Sequence, residues 1–190
     1  MTDMHNIGSN DASDPKMTIE SSMQKMKARL SELSKIDVGY PLGENVVREA
    51  SRSSGLPTAF LSMNGSKWLC TLYSVCDGLS FPDVHVGYFV KPLERVMSCD
   101  RQSEPDTVIL DREISVLPFG STGGGSLFVV GCERGDVMLL PPALLSGGRY
   151  HGKEGVVIEV AATVPLFFER LLADLTAFVN DEQHHNYIAK

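Results

Sequence analysis

A cysteine nucleophile needs a base within reach, and the chain carries Cys70, Cys76, Cys99 and Cys132 beside five histidines. Only His85 and His151 fall inside segments that read as folded, and no spacing pairs either with a thiol. A fold could still bring Cys132 or Cys76 within reach of His85 or His151, with Cys132 and His151 the first pair to consider. Asp83, Asp111, Glu113 and Asp136 could supply paired carboxylates for acid–base work, yet acids at strand ends and turns usually face water. Gly123-Gly124-Gly125 could ring an anion with backbone N–H groups. It lacks the Gly-Lys-Ser/Thr ending of a phosphate loop and leads into a strand where a helix should begin. The run reads instead as a side-chain-free bend that brings backbone close to another element. There is no Cys-x-x-Cys pair, and His184-His185 sits in a polar tail, so no metal-ligand spacing stands out. The cysteines read as small buried hydrophobes, and the residues point to no catalytic centre, no cofactor and no metal.

Recognition chemistry has a better foothold. Asp77 to Tyr88, DGLSFPDVHVGY, gathers acids, a histidine and a tyrosine around a proline between a helix end and a strand, a mixture that suits a partner-binding loop. The candidate partner-binding residues are Asp77, Asp83, His85, Tyr88, Ser121 and Glu133. With a formal charge of −7, the chain lacks the clustered cations that nucleic acid requires and suits a basic protein partner better. No apolar run approaches the length of a signal peptide or a membrane span. The expectation is a cytoplasmic protein that contacts neither nucleic acid nor membrane.

The elements that must position these residues follow from periodicity. The chain's 190 residues, 43% of them hydrophobic, suffice for one core that buries roughly 70% of the unfolded surface. The expected layout is a disordered tail over 1–16, a single α+β domain over 17–181 and a polar tail over 182–190. Ser13-Asp14-Pro15 offers a helix start, and Ile19, Met23, Met26, Leu30 and Leu33 recur on one face of a helix over Met17 to Lys35. A short helix is expected at Glu44 to Ser51 and a helical turn at Ala59 to Met63. From Ser66, Trp68, Leu69, Leu72, Tyr73 and Cys76 form the stripe of a helix that Asp77-Gly78 closes. Leu79 to Asp83 reads as a connector, Val84 to Val90 as a strand, Leu93 to Met97 as a helical turn and Thr107 to Leu110 as a strand.

Val116 to Phe119 is expected as a short strand and Gly120 to Gly125 as a loop. Ser126 to Gly131 and Asp136 to Leu140 flank the tight segment Cys132-Glu133-Arg134-Gly135 as a hairpin. Pro141 to Gly155 is expected as the longest loop and Val156 to Val160 as a strand. The last helix starts near Thr163, a capping hydroxyl with Pro165 behind it. Leu166, Phe167, Leu171, Leu172, Leu175, Phe178 and Val179 face inward there, while Glu169, Arg170, Asp174 and Asn180 look out.

With these blocks in order, the chain resembles the SUKH superfamily. The matching pieces are Leu56-Pro57, the Trp68-to-Gly78 helix ending LYSVCDG, FPDVHVGYFV, LPFGSTGGGSLFVV with the following GDVMLLP, and VIEVAATVPLFFERLL. The resemblance implies an α+β fold with a central, mainly antiparallel sheet of about five to six strands, packed by N-terminal, middle and C-terminal helices. It implies a non-catalytic binding module, foremost a bacterial immunity protein that occludes the active site of a cognate toxin, with a basic nuclease the toxin class that the acidic balance suits. A regulatory or scaffold role linked to the cell wall or envelope is the alternative. The family supplies no catalytic residues, and the long N-terminal helix departs from it, leaving monomer or weak homodimer open.

Overall fold

The computed structural model describes residues 14–52, 55–98, 103–152, 156–182 and 188. Cys99, His184, His185 and the parts of the expected tails at 1–13, 183–187 and 189–190 lie outside the described residues, while 14–16, expected in the disordered tail, form the cap and first turn of a helix. In chain order the elements are α1 (Pro15–Leu33), β1 (Val46–Glu49), α2 (Thr58–Leu61), α3 (Ser66–Val75), β2 (Cys76–Phe81), β3 (Tyr88–Val90), α4 (Leu93–Met97), β4 (Thr107–Ile109) and β5 (Glu113–Thr122). There follow β6 (Leu127–Gly131), β7 (Val137–Leu140), β8 (Leu145–Ser146), β9 (Arg149–His151), β10 (Ile158–Ala161) and α5 (Val164–Val179). The class is α+β with a mainly antiparallel sheet, but among the described residues ten strands replace the expected five or six.

The central strand is β5. Along one edge it pairs first with β4 and then with β3; along the other it pairs with β6. Pro118 has no N–H for a ladder, and it is accommodated because the register slips between Pro118 and Gly120 and leaves Phe119 as a bulge. Side-chain alternation along β6 and β7 sends Phe128, Val130, Val137 and Leu139 into one core with the helices. Val129, Met138 and Leu140 go into a second core with Val108, Val116 and Tyr150. Both faces are therefore covered, which is why these strands read as continuous apolar runs rather than alternating ones.

The second cover comes from the stretch expected as the longest loop. Gly147 and Gly148 take φ of +59° and +78°, the two left-handed residues of a tight hairpin turn between β8 and β9. β9 then runs parallel to β4. The Tyr150 hydroxyl donates to the Pro141 carbonyl at 2.9 Å, pinning this flap over the second core.

The helices follow their stripes. Asp14 caps α1 through Lys16 N–H, and Pro15 takes the first position, so α1 begins and ends two residues earlier than the pattern suggested. Ile19, Met23, Met26 and Leu33 are buried as expected. Thr163 caps α5 by accepting from Leu166 N–H at 3.3 Å, and Arg170 donates to the Val160 carbonyl on β10.

Four expectations fail locally. Val46-Val47 forms an edge strand against β2 instead of a helix, in keeping with two β-branched residues in a row. Cys76-Asp77-Gly78-Leu79 does not end a helix: Gly78 takes φ +97° inside β2, where a Cβ would fall 2.6 Å from the Val90 carbonyl oxygen. Leu79 to Phe81 belongs to the same strand, while Val84 to Gly87 is turn and only Tyr88 to Val90 is strand. Gly120 to Thr122 extends β5 rather than opening a loop.

Candidate functional site

The sequence candidates divide between the two ends of the sheet. Asp83, His85, Tyr88 and Ser121 come together at one end, because β3 pairs antiparallel with β5, with Tyr88 opposite Thr122 and Phe89 opposite Ser121. This sets the β2–β3 turn, residues 82–87, beside the β5–β6 turn, residues 123–126. Gly87 N–H donates to Val84 O at 2.9 Å, and Gly123 N–H donates to Gly87 O at 3.1 Å. A Cβ at Gly123 would collide with the Val86 carbonyl oxygen. The triple glycine is thus the close-approach bend its composition indicated, and the two turns form one continuous edge.

His85 gives that edge a fixed shape. Its φ is +52°, a left-handed conformation that non-glycine residues seldom adopt and that costs on the order of 1 kcal/mol or more. Its ring packs at 5.9 Å from Phe178 and 6.3 Å from Tyr88, edge-on in each case. His85 and Val86 are exposed, Val86 at 54%. Asp83 accepts from Gly43 N–H at 2.9 Å and from the Asn45 side-chain amide, tying the turn to the lead-in of β1. Pro142 lies against Gly125, and Leu144 two residues on is 94% exposed. Val86 and Leu144 are large apolar side chains left exposed at this end, with Asp83 in the same turn as Val86, a composition that suits protein recognition.

Tyr88 works beneath the edge. It is 1% exposed, and its hydroxyl donates to Asp174 at 3.0 Å. Asp174, expected to look out from the last helix, is fully buried and also accepts from Ile188 N–H at 3.3 Å. Ile188, inside the expected polar tail, lies in the main core. Periodicity places Asp174 one step off the apolar face; its buried position depends on a tyrosine 86 residues away, a partner no local pattern reveals. Replacing Tyr88 by phenylalanine leaves that carboxylate one donor short and should cost about 1–3 kcal/mol in urea unfolding. A loss under about 0.3 kcal/mol would show that the bond carries no weight.

Asp77 and Glu133 lie at the opposite end. Asp77 pairs with Arg52 and accepts Leu93 N–H at 3.0 Å, at the start of α4, so its carboxylate is committed to the fold. Glu133 is exposed in the β6–β7 turn, 3.7 Å from Arg112. The cysteine reading fares badly on electrostatics. Cys132 is nearly buried against Gly65, where a Cβ would sit 2.7 Å from its sulfur. Burial, and secondarily Glu133, pushes its thiol up to about 11, away from the thiolate that attack requires. His151 stands on β9, in register with Ile109. Among the described residues no group of three His, Cys, Asp or Glu is placed to hold a metal ion, and no helix is long and apolar enough to cross a membrane.

No family model, curated protein or solved structure matches this chain. The functional reading therefore rests on the chain's own residues and on the block resemblance noted above. One further feature escaped the sequence reading. Trp68, assigned to the inward stripe of α3, is 37% exposed and belongs to a groove at the Asp77–Glu133 end of the sheet. The signal was present in Gly135: a glycine after a tight turn with φ +80° leaves the room that an indole then fills.

Proposed function

We propose that this chain is a non-catalytic protein-binding module that meets its partner with the edge formed by residues 82–87 and 123–126. The observation that carries the proposal is His85, an exposed residue held in a left-handed conformation by the rings of Tyr88 and Phe178. A strained turn kept rigid at the surface serves a surface whose shape is read, since preorganisation removes the ordering cost of association. Val86 and Leu144 supply apolar contacts, and the surrounding acids suit a basic partner.

The block resemblance to SUKH proteins narrows the proposal to an immunity protein that neutralises a cognate toxin domain by covering its active site. Co-expression with the protein encoded next to it tests both levels. The expected result is rescued growth and a one-to-one complex. Val86→Asp and Leu144→Asp, both at exposed positions, should each weaken the complex at least about thirtyfold, as hot-spot losses of 2 kcal/mol do, with unchanged thermal melting. A complex indifferent to both substitutions would remove the edge from the interface. Capture of host envelope proteins without any growth protection would favour a regulatory scaffold.

A further inference from the structure

The groove around Trp68 lies at the far end of the sheet from the recognition edge and encloses about 480 Å³. Its floor and walls come from the first turns of α1 and α5, from α3 and from the β6–β7 turn: Ile19, Trp68, Val164, Pro165 and Leu166 are its apolar lining. The indole cannot swing away. Its Nε1–H donates to the Cys132 carbonyl at 3.0 Å, and the ring rests on Gly135, where a Cβ would fall 2.5 Å from it. A large aromatic side chain is thereby fixed in place while still partly open to water, so it has surface left for a partner to bury.

The charges at the rim decide what fits. Arg134 is already engaged, 2.6 Å from Asp136 and 3.7 Å from Glu159. Lys67 places its Nζ 4.7 Å from the Trp68 ring centroid and has no carboxylate within ion-pair distance among the described residues. An incoming cation would meet that ammonium over the aromatic face it would otherwise occupy. An incoming carboxylate would meet an ammonium that no carboxylate of the described residues neutralises, beside an apolar wall. Glu169, also on the lining, disfavours a second acid.

We infer that this groove docks a segment of a partner protein in which one bulky apolar side chain stands beside a single acidic residue. The apolar side chain lies against Val164, Pro165 and Leu166 beside the Trp68 indole, and the carboxylate pairs with the Lys67 ammonium that covers the ring. The site is separate from the recognition edge, so one partner could be held at both ends or two partners bound together.

Trp68 is the chain's single tryptophan, so intrinsic fluorescence reports on this groove alone. The full chain is titrated with the capped pentapeptide Ser-Leu-Phe-Asp-Gly. A saturable shift of the emission to shorter wavelength is expected. Exchanging the peptide's aspartate for lysine, or its phenylalanine for serine, should abolish it. Lys67→Glu, at an exposed position, should weaken binding about tenfold or more, and Glu169→Gln should tighten it severalfold. Thermal melting of both variants confirms that they fold. No saturable change up to millimolar peptide, equal binding of the lysine-containing peptide, or an unaltered affinity in Lys67→Glu would each overturn the inference. None of these results bears on the recognition edge, whose test uses other residues and another readout.

Discussion

Replacing Phe167 by alanine should remove about 3–5 kcal/mol of folding stability, which for a chain of this size is a fall in melting temperature on the order of 10 °C. The residue is fully buried and stands at the meeting of three rings: Phe128 at 4.9 Å, Phe119 at 5.5 Å and Phe168 at 6.1 Å between centroids. Phe119 belongs to the β5 bulge and Phe128 to β6, so the cavity would open where α5 crosses the middle of the sheet. Neither strand can close it, because both are held on either side by ladders. Phe167→Leu keeps much of the volume and should lose less than half as much. Chemical denaturation of the two variants decides the matter: equal and small losses would mean that α5 does not seat on the sheet through this ring.

The second large effect is alkaline. Burial pushes the Cys76 thiol up to about 12 from an ordinary 9.0, with Asp77 adding to the rise. Cys132 goes up to about 11, and Tyr73 and Tyr88 are raised above the ordinary phenol, again chiefly by burial. Each of these groups keeps its proton in the folded chain at a pH where the unfolded chain has released it. Their contributions are therefore fully present below pH 9 and are lost as pH climbs toward the folded values. For Cys76 alone the loss by pH 11 is on the order of 3 kcal/mol. Urea unfolding under reducing conditions at pH 8, 9.5 and 11 should show falling stability, with a shallower decline in Cys76→Ala. A flat profile would mean that these groups reach water in the native state.

The helices were legible because their partners lie within the same stretch of sequence. Ile19, Met23 and Met26 repeat at helical spacing, and Thr163 with Pro165 marks a helix start whatever lies around it. The strands that failed depend on information from elsewhere. Asp77-Gly78 carries the residues of a helix end, and Gly78 does adopt a positive φ, but the Val90 carbonyl packed against it is what makes that glycine part of a strand. The β8–β9 hairpin is missed by a sequence reading that makes Pro141 to Gly155 a loop, although Gly147-Gly148 turns it. Its strands, of two and three residues, are too short to show alternation, and they exist because β4 offers an edge. The proposed recognition edge is half visible in sequence: DGLSFPDVHVGY stands out for its composition, whereas the left-handed turn at His85 and the exposure of Leu144 arise only once Phe178 and the Gly125–Pro142 contact are in place.

The strand β5 lends its two faces to different interiors, with Val116 toward the flap and Leu117 and Phe119 toward the helices. A ribbon used twice in this way leaves no seam along which the molecule could come apart in halves. Loosening the flap withdraws support from the backbone bonds that the helical layer also leans on, so heat or denaturant meets one all-or-none object. A pull applied at any one edge is then spread through the whole body and does not peel off a corner.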